Sequence, residues 1–230
     1  MMAQTNTLLV EGKDDDAVIF RLFNHYGIVK GNITIVKAGG DSRLINDLID
    51  GLRVRIKNAE PHDKIGVVID ADTDVMARWT SLRNTLIDSG YQSIRANPDA
   101  EGTVIAATDK LPTVGIWLMP DNRLSGMLED FVSFLIPHDD KLWGQALQSV
   151  ANIPVKDRKF APQHQRKAEI HTWLAWQKKP GKPLGLAIMF HYLDANADHA
   201  KQFIAWVRRL FDLQSSSQPQ PQLSDPTSHP

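Results

Sequence analysis

Two short apolar runs that each end in carboxylates constrain this chain more than any other feature. The first is Leu8-Leu9-Val10-Glu11-Gly12-Lys13-Asp14, and the second is Ile65-Gly66-Val67-Val68-Ile69-Asp70-Ala71-Asp72-Thr73-Asp74. Such a run, followed by a helix-like pattern, reads as a parallel strand buried on both faces. Open α/β sheets bind ligands at the edge where their strands end. Several carboxylates gathered there suit a hard divalent cation such as Mg²⁺ or Mn²⁺, whose preferred donors are oxygens.

The rest of the first half repeats the pattern. Strand-like runs at 7–10, 33–36 and 64–69 alternate with helix-like stretches at 14–26, 42–58 and 74–89, the mark of βαβ units and a mostly parallel sheet. Residues 91–95, 103–107 and 113–119 are further strand candidates, and from about Ser125 the pattern becomes helical. Trp173, Trp176, Leu184, Ile188, Phe203, Trp206 and Leu210 recur at amphipathic helical spacing and read as core packing rather than a base-stacking platform. The expected organisation is an α/β domain over 1–135, a helical extension packed on it over 136–213, and a disordered Ser-, Gln- and Pro-rich tail over 214–230.

At 230 residues with 42% hydrophobic side chains, the chain can bury a full core. The absence of cysteine removes disulfides and thiolate metal sites. Met1-Met2-Ala3-Gln4 lacks the basic start and apolar stretch of a signal peptide, and no window approaches a membrane span, so the cytoplasm is the expected location. Residues 1–155 carry 15 basic against 21 acidic side chains and residues 156–213 carry 11 against 5, so a net −6 adjoins a net +6. A basic half beside acids can attract a polyanion while the carboxylates stay available to cations; it also suits a plain solvated helical surface.

Residue by residue, Asp70 and Asp72 are two apart, so in extended geometry they point the same way and can share one cation, with Glu11 reaching in from a neighbouring strand. The competing role for Asp70, Asp72 and Asp74 is to cap the next helix, for which one Asp suffices. Glu129 and Asp130 follow another apolar strand and divide between a second metal position and the first turn of a helix capped by Ser125. Asp14, Asp15 and Asp16 suit the same dipole role, with Asp14 nearest the proposed site. Gly39 and Gly40, ahead of Asp41 and Ser42, form a turn or a close approach to phosphate at a helix N-terminus.

Leu-Val-Glu-Gly-Lys-Asp-Asp, a Gly-Gly loop after the second strand and then Val-Val-Ile-Asp-Ala-Asp resemble, in order and spacing, the Toprim domain of topoisomerases, bacterial primases and OLD-type nucleases. The resemblance covers roughly residues 5–130. With the Met-Pro-Asp-Asn and Gly-Met-Leu-Glu-Asp-Phe segments it is most similar to a compact Toprim-like family of bacteria and archaea. It implies Glu11 as general acid/base or metal ligand, Asp70 and Asp72 as the Mg²⁺ pair, and Glu129 and Asp130 as auxiliary ligands. Lys13, beside Glu11, would neutralise a scissile phosphate or form a surface ion pair. The chain lacks an evident tyrosine-bearing topoisomerase module, a zinc-binding primase module and the Gly-x-x-x-x-Gly-Lys-Ser/Thr of an ATPase.

The expected activity is therefore metal-assisted phosphodiester hydrolysis of DNA or RNA, with Arg166, Lys167, Lys178, Lys179 and Lys182 holding the nucleic-acid backbone. Two other readings use the same centre: a small-molecule phosphohydrolase or nucleotidyl-transfer enzyme, and a non-catalytic module serving a defence or repair complex. A homodimer or a protein partner is compatible with each.

Overall fold

The computed structural model describes residues 4–29, 31–37 and 48–214. Five strands, β1 (Asn6–Val10), β2 (Thr34–Lys37), β3 (Lys64–Asp70), β4 (Thr103–Ile105) and β5 (Thr113–Met119), form one sheet in the order β2-β1-β3-β5-β4. The first four neighbours in that order run parallel, and β4 lies antiparallel to β5 at the edge. The chain is α/β, as the alternation of its apolar runs requires.

The register sets the position of the acids. Val10 is level with Val68 and Asp70 is level with Met119, so Glu11 and Asp70 leave adjacent central strands at the same edge of the sheet. Within β3 the side chains divide by parity. Ile65, Val67 and Ile69 pack with one apolar cluster and Val68 with the other.

Helices cover both faces. On the face of Val67, α2 (Leu48–Asn58) and α3 (Val75–Asp88) bury Leu52, Ile56, Trp79, Leu82 and Leu86. On the face of Val68 lie α1 (Lys13–His25), α4 (Leu128–Ser133), α5 (Lys141–Ala151), α6 (Gln165–Ala175), α7 (Leu184–Met189) and α8 (Asp198–Phe211). They enclose Trp117, Phe131, Trp173, Phe203 and Trp206, all fully buried. No helix among the described residues is long and apolar enough to cross a membrane.

The seat of α8 is cut by two glycines. Gly66 and Gly115 are level on adjacent strands. A Cβ on Gly115 would stand 2.5 Å from Leu210 Cδ2, and one on Gly66 would stand 2.6 Å from Leu8 Cδ1 and 3.0 Å from Leu210 Cδ2. The missing side chains make the notch that Leu210 fills.

Four expectations change. Residues 91–95 are not a strand: Ser93 has a left-handed φ of 58°, while Tyr91 and Ile94 are buried and the Tyr91 hydroxyl donates to Pro112 O at 2.7 Å. The apolar spacing there plugs the core from a loop. Trp176 is 40% exposed, unlike its buried neighbour Trp173. Ser125 is not a helix cap, since α4 starts from Met127 and Ser125 Oγ accepts from Val75 N at 3.3 Å. Asp72 departs from extended geometry, as set out below. Gly39, Gly40, the expected cap at Asp41 or Ser42, the first turns of the 42–58 helix and all but Gln214 of the expected tail lie outside the described residues.

Candidate metal centre

Glu11 ends the first apolar run, and α1 begins two residues later with Gly12 as its N-cap. Asp15, at the third helical position, turns back so that its carboxylate accepts from Gly12 N at 3.0 Å. This is one half of a capping box and carries Asp15 into the protein, where it is 7% exposed. Asp14, the expected inner member of the Asp14-Asp15-Asp16 run, is exposed instead, and Asp16 pairs with Lys37 at 3.0 Å.

Helix α4 opens the same way. Asp130 accepts from Met127 N at 2.9 Å, and Leu128 N donates to Asp70 Oδ1 at 2.9 Å. Glu11 Oε1 accepts a long 3.4 Å bond from Asp70 N. Glu129, 4% exposed, completes the inner group.

The electrostatics identify which acids feel one another. Burial, then the charges of Glu11, Asp15 and Glu129, push the Asp70 carboxyl up to about 8, against the opposing pull of the Leu128 N–H. Burial, and next the charge of Asp15, also raise Glu11. Asp15 is raised by burial first, with Glu129 and Asp14 adding to it while the Gly12 N–H opposes. Glu11, Asp15, Asp70 and Glu129 therefore form one repelling group on three converging chain segments.

Asp72 lies at the rim. β3 ends at Asp70, and Asp72 takes a φ of 53°, so the strand alternation expected to align it with Asp70 has stopped. Its N–H donates to Gly126 O at 2.9 Å, and its carboxylate pairs with Arg78. Asp74 is the cap of α3, accepting from Met76 N at 2.9 Å and Ala77 N at 3.0 Å.

The expected nucleic-acid contacts divide into two sets. Arg166 reaches Asp130 at 3.1 Å and Glu169 at 2.8 Å, and Lys167 reaches Glu129 at 3.0 Å. These two cations are turned onto carboxylates. Lys13, Lys178, Lys179 and Lys182 are exposed, with Lys179 Nζ 4.3 Å from the centre of the Phe190 ring.

Among the described residues no three Asp, Glu or His side chains already stand as a finished cage for a metal ion. The donor set nevertheless fits a hard cation in kind, because it consists of carboxylate oxygens, mostly withdrawn from water and short of positive charge. Sequence reasoning missed Asp15 and Arg78. The signal for Asp15 was its spacing from Gly12, since an acid three residues after an N-cap folds back over it. Arg78 is six residues beyond Asp72, one turn into α3, and only the left-handed turn at Asp72 brings the two together.

No curated protein and no solved structure gives a significant match. Residues 5–212 match the model of the family described as Protein of unknown function (DUF3226), and the chain belongs to that family.

Proposed function

We propose that this chain is a Toprim-like enzyme that uses Mg²⁺ or Mn²⁺ to hydrolyse phosphodiester bonds in nucleic acid. The observation that carries the reading is the repelling group of Glu11, Asp15, Asp70 and Glu129 at the C-terminal edge of the parallel sheet. Burying acids together costs stability unless something positive joins them, and acids so placed mark functional sites more often than structural ones.

In this reading Glu11 and Asp70 hold the cation, with Asp15 behind them and Asp72 swinging in from its pair with Arg78. A bound divalent ion supplies Lewis acidity to a phosphoryl oxygen and acidity to a water molecule. Glu11, whose proton affinity burial raises, takes the proton from the attacking water. The Leu128 N–H fixes one oxygen of Asp70 and so orients the other. Lys13, exposed at the first turn of α1, meets the phosphate, while Lys178 and Lys182 contact the backbone of the strand further off.

The non-catalytic alternative draws on a different observation. Arg166 and Lys167 already neutralise Asp130 and Glu129 from within the chain, as a purely structural module would do.

Labelled single- and double-stranded DNA and RNA, incubated with Mg²⁺ or Mn²⁺, separate the two. Cleavage that needs metal and falls at least about 100-fold in both Glu11→Gln and Asp70→Asn supports the enzyme. Cleavage that persists in both variants sinks this centre as its source, and binding of nucleic acid with no cleavage favours the module.

A further inference from the structure

Two consecutive cations of α6 meet two consecutive acids of α4: Arg166 pairs with Asp130 and Lys167 with Glu129. The second pair is unequal in its exposure. The Glu129 side chain is 6% exposed and that of Lys167 is 50% exposed, so the ammonium reaches inward from the rim to a carboxylate that water scarcely touches. Asp14 and Asp70 also act on that ammonium.

Lysine is suited to this position because its charge is compact and sits on a long flexible stem. Once ionised, Glu11, Asp15, Asp70 and Glu129 carry four negative charges. Lys167 answers the one on Glu129. The remaining three face each other at the ends of β1 and β3, and a single divalent ion brings them within one charge of neutrality.

We propose that Lys167 is a built-in counter-cation that stands where a second metal ion would bind and so limits the centre to one divalent ion. The inference rests on the metal-site reading above and deepens it by fixing the number of ions. It also accounts for the lack of a finished cage among the described side chains, because Glu129 is turned toward the ammonium.

The test is equilibrium binding of Mn²⁺ to the full chain, with free ion followed by electron paramagnetic resonance and bound ion by calorimetry. The wild-type protein is expected to bind one Mn²⁺ per chain, and Lys167→Met two. Lys167→Gln, which keeps a donor for Glu129 but no charge, is also expected to bind two and serves if the Met variant does not fold. Lys167→Arg is expected to bind one. The double variant Lys167→Met/Glu129→Gln is expected to return to one, because the second ion needs the Glu129 carboxylate. Lys159→Met, which removes an exposed charge elsewhere in the basic half, is expected to bind one.

A single Mn²⁺ in both neutral Lys167 variants, with wild-type affinity, overturns the proposal, as does a second Mn²⁺ in the wild-type protein. Binding of no Mn²⁺ by any variant fails at an earlier step, the metal centre itself, and removes the proposal with it.

Discussion

Leu128 N donates to Asp70 Oδ1 at 2.9 Å, joining the first residue of α4 to the last residue of β3. The bond spans 58 positions of sequence and holds a carboxylate in place although three other acids repel it. A group kept where its charge is disfavoured must leave a signature in the pH dependence of stability.

The folded-state carboxyl of Asp70 titrates near 8, above the 3.8 of an unperturbed Asp, so between those values the folded protein holds a proton that the unfolded chain has released. Its contribution to stability is intact below the lower value and declines as pH rises through the higher one. Metal-free protein is expected to melt several degrees lower at about pH 9 than at about pH 6, each kcal/mol moving Tm by about 2–4 °C in a chain of this size. Asp70→Asn should remove most of that difference, and Mg²⁺ should reverse it in the wild-type protein. Calorimetric melting across the pH range checks all three, and an unchanged slope in Asp70→Asn contradicts the assignment.

Asp63 behaves oppositely. Burial works against its charge, but the N–H groups of Thr5 at 2.8 Å and Glu60 at 2.9 Å outweigh it and hold the carboxyl below the ordinary range. Its contribution is present above the unperturbed value and is lost as pH falls through the depressed one. Asp63→Ala, which strands both donors, is expected to cost about 1–3 kcal/mol in urea unfolding at neutral pH and less in acid.

Gly115→Ala drives a Cβ into Leu210, with Cδ2, Cδ1 and Cγ at 2.5, 2.8 and 3.1 Å. Overpacking of this kind costs about 1–3 kcal/mol, and Leu210→Ala alone costs about 2–5 kcal/mol through the cavity it leaves. The double variant should be less destabilised than the sum, because the new methyl occupies part of that cavity. Additive losses in denaturant melts would show that the notch and Leu210 are not coupled.

Arg166→Ala removes both partners' countercharge at once, leaving Glu169, 4% exposed, with only the Gln165 amide at 2.8 Å. Hydrogen bonds to charged groups contribute about 1.5–3 kcal/mol, and a loss of that size is expected at neutral pH. Adding Glu169→Gln should recover part of it, which a thermodynamic cycle over the four proteins measures directly.

The sheet is legible in the sequence because its central strands are buried on both faces, which leaves runs such as Ile65 to Ile69 with no polar interruption. The acidic edge follows, since Glu11 and Asp70 stand where those runs stop. Positions fixed by single backbone turns are not legible in this way. The left-handed residue at Asp72 breaks an alternation that strand geometry alone would continue, and Ser93 ends an extended reading that the apolar spacing of Tyr91 and Ile94 supports. The direction of Arg166 and Lys167 is hidden for another reason. Counting charge by segment separates the acidic half from the basic one, but cannot show that α6 folds two of its cations back onto α4.

The glycine notch also imposes an order of events on a chain made from one end. A ribosome releases β3 and β5 long before it releases α8, so the paired glycines emerge as a bare hollow on a nonpolar sheet. Leu210, the side chain that closes this hollow, arrives near the end of the described sequence, just before Asp212, which pairs with Lys64 at the start of β3. Until then the nascent protein carries an open apolar surface, and stalled or prematurely terminated copies keep it. Such fragments are natural clients for chaperones and proteases, so the quality check on a finished copy is its own final helix.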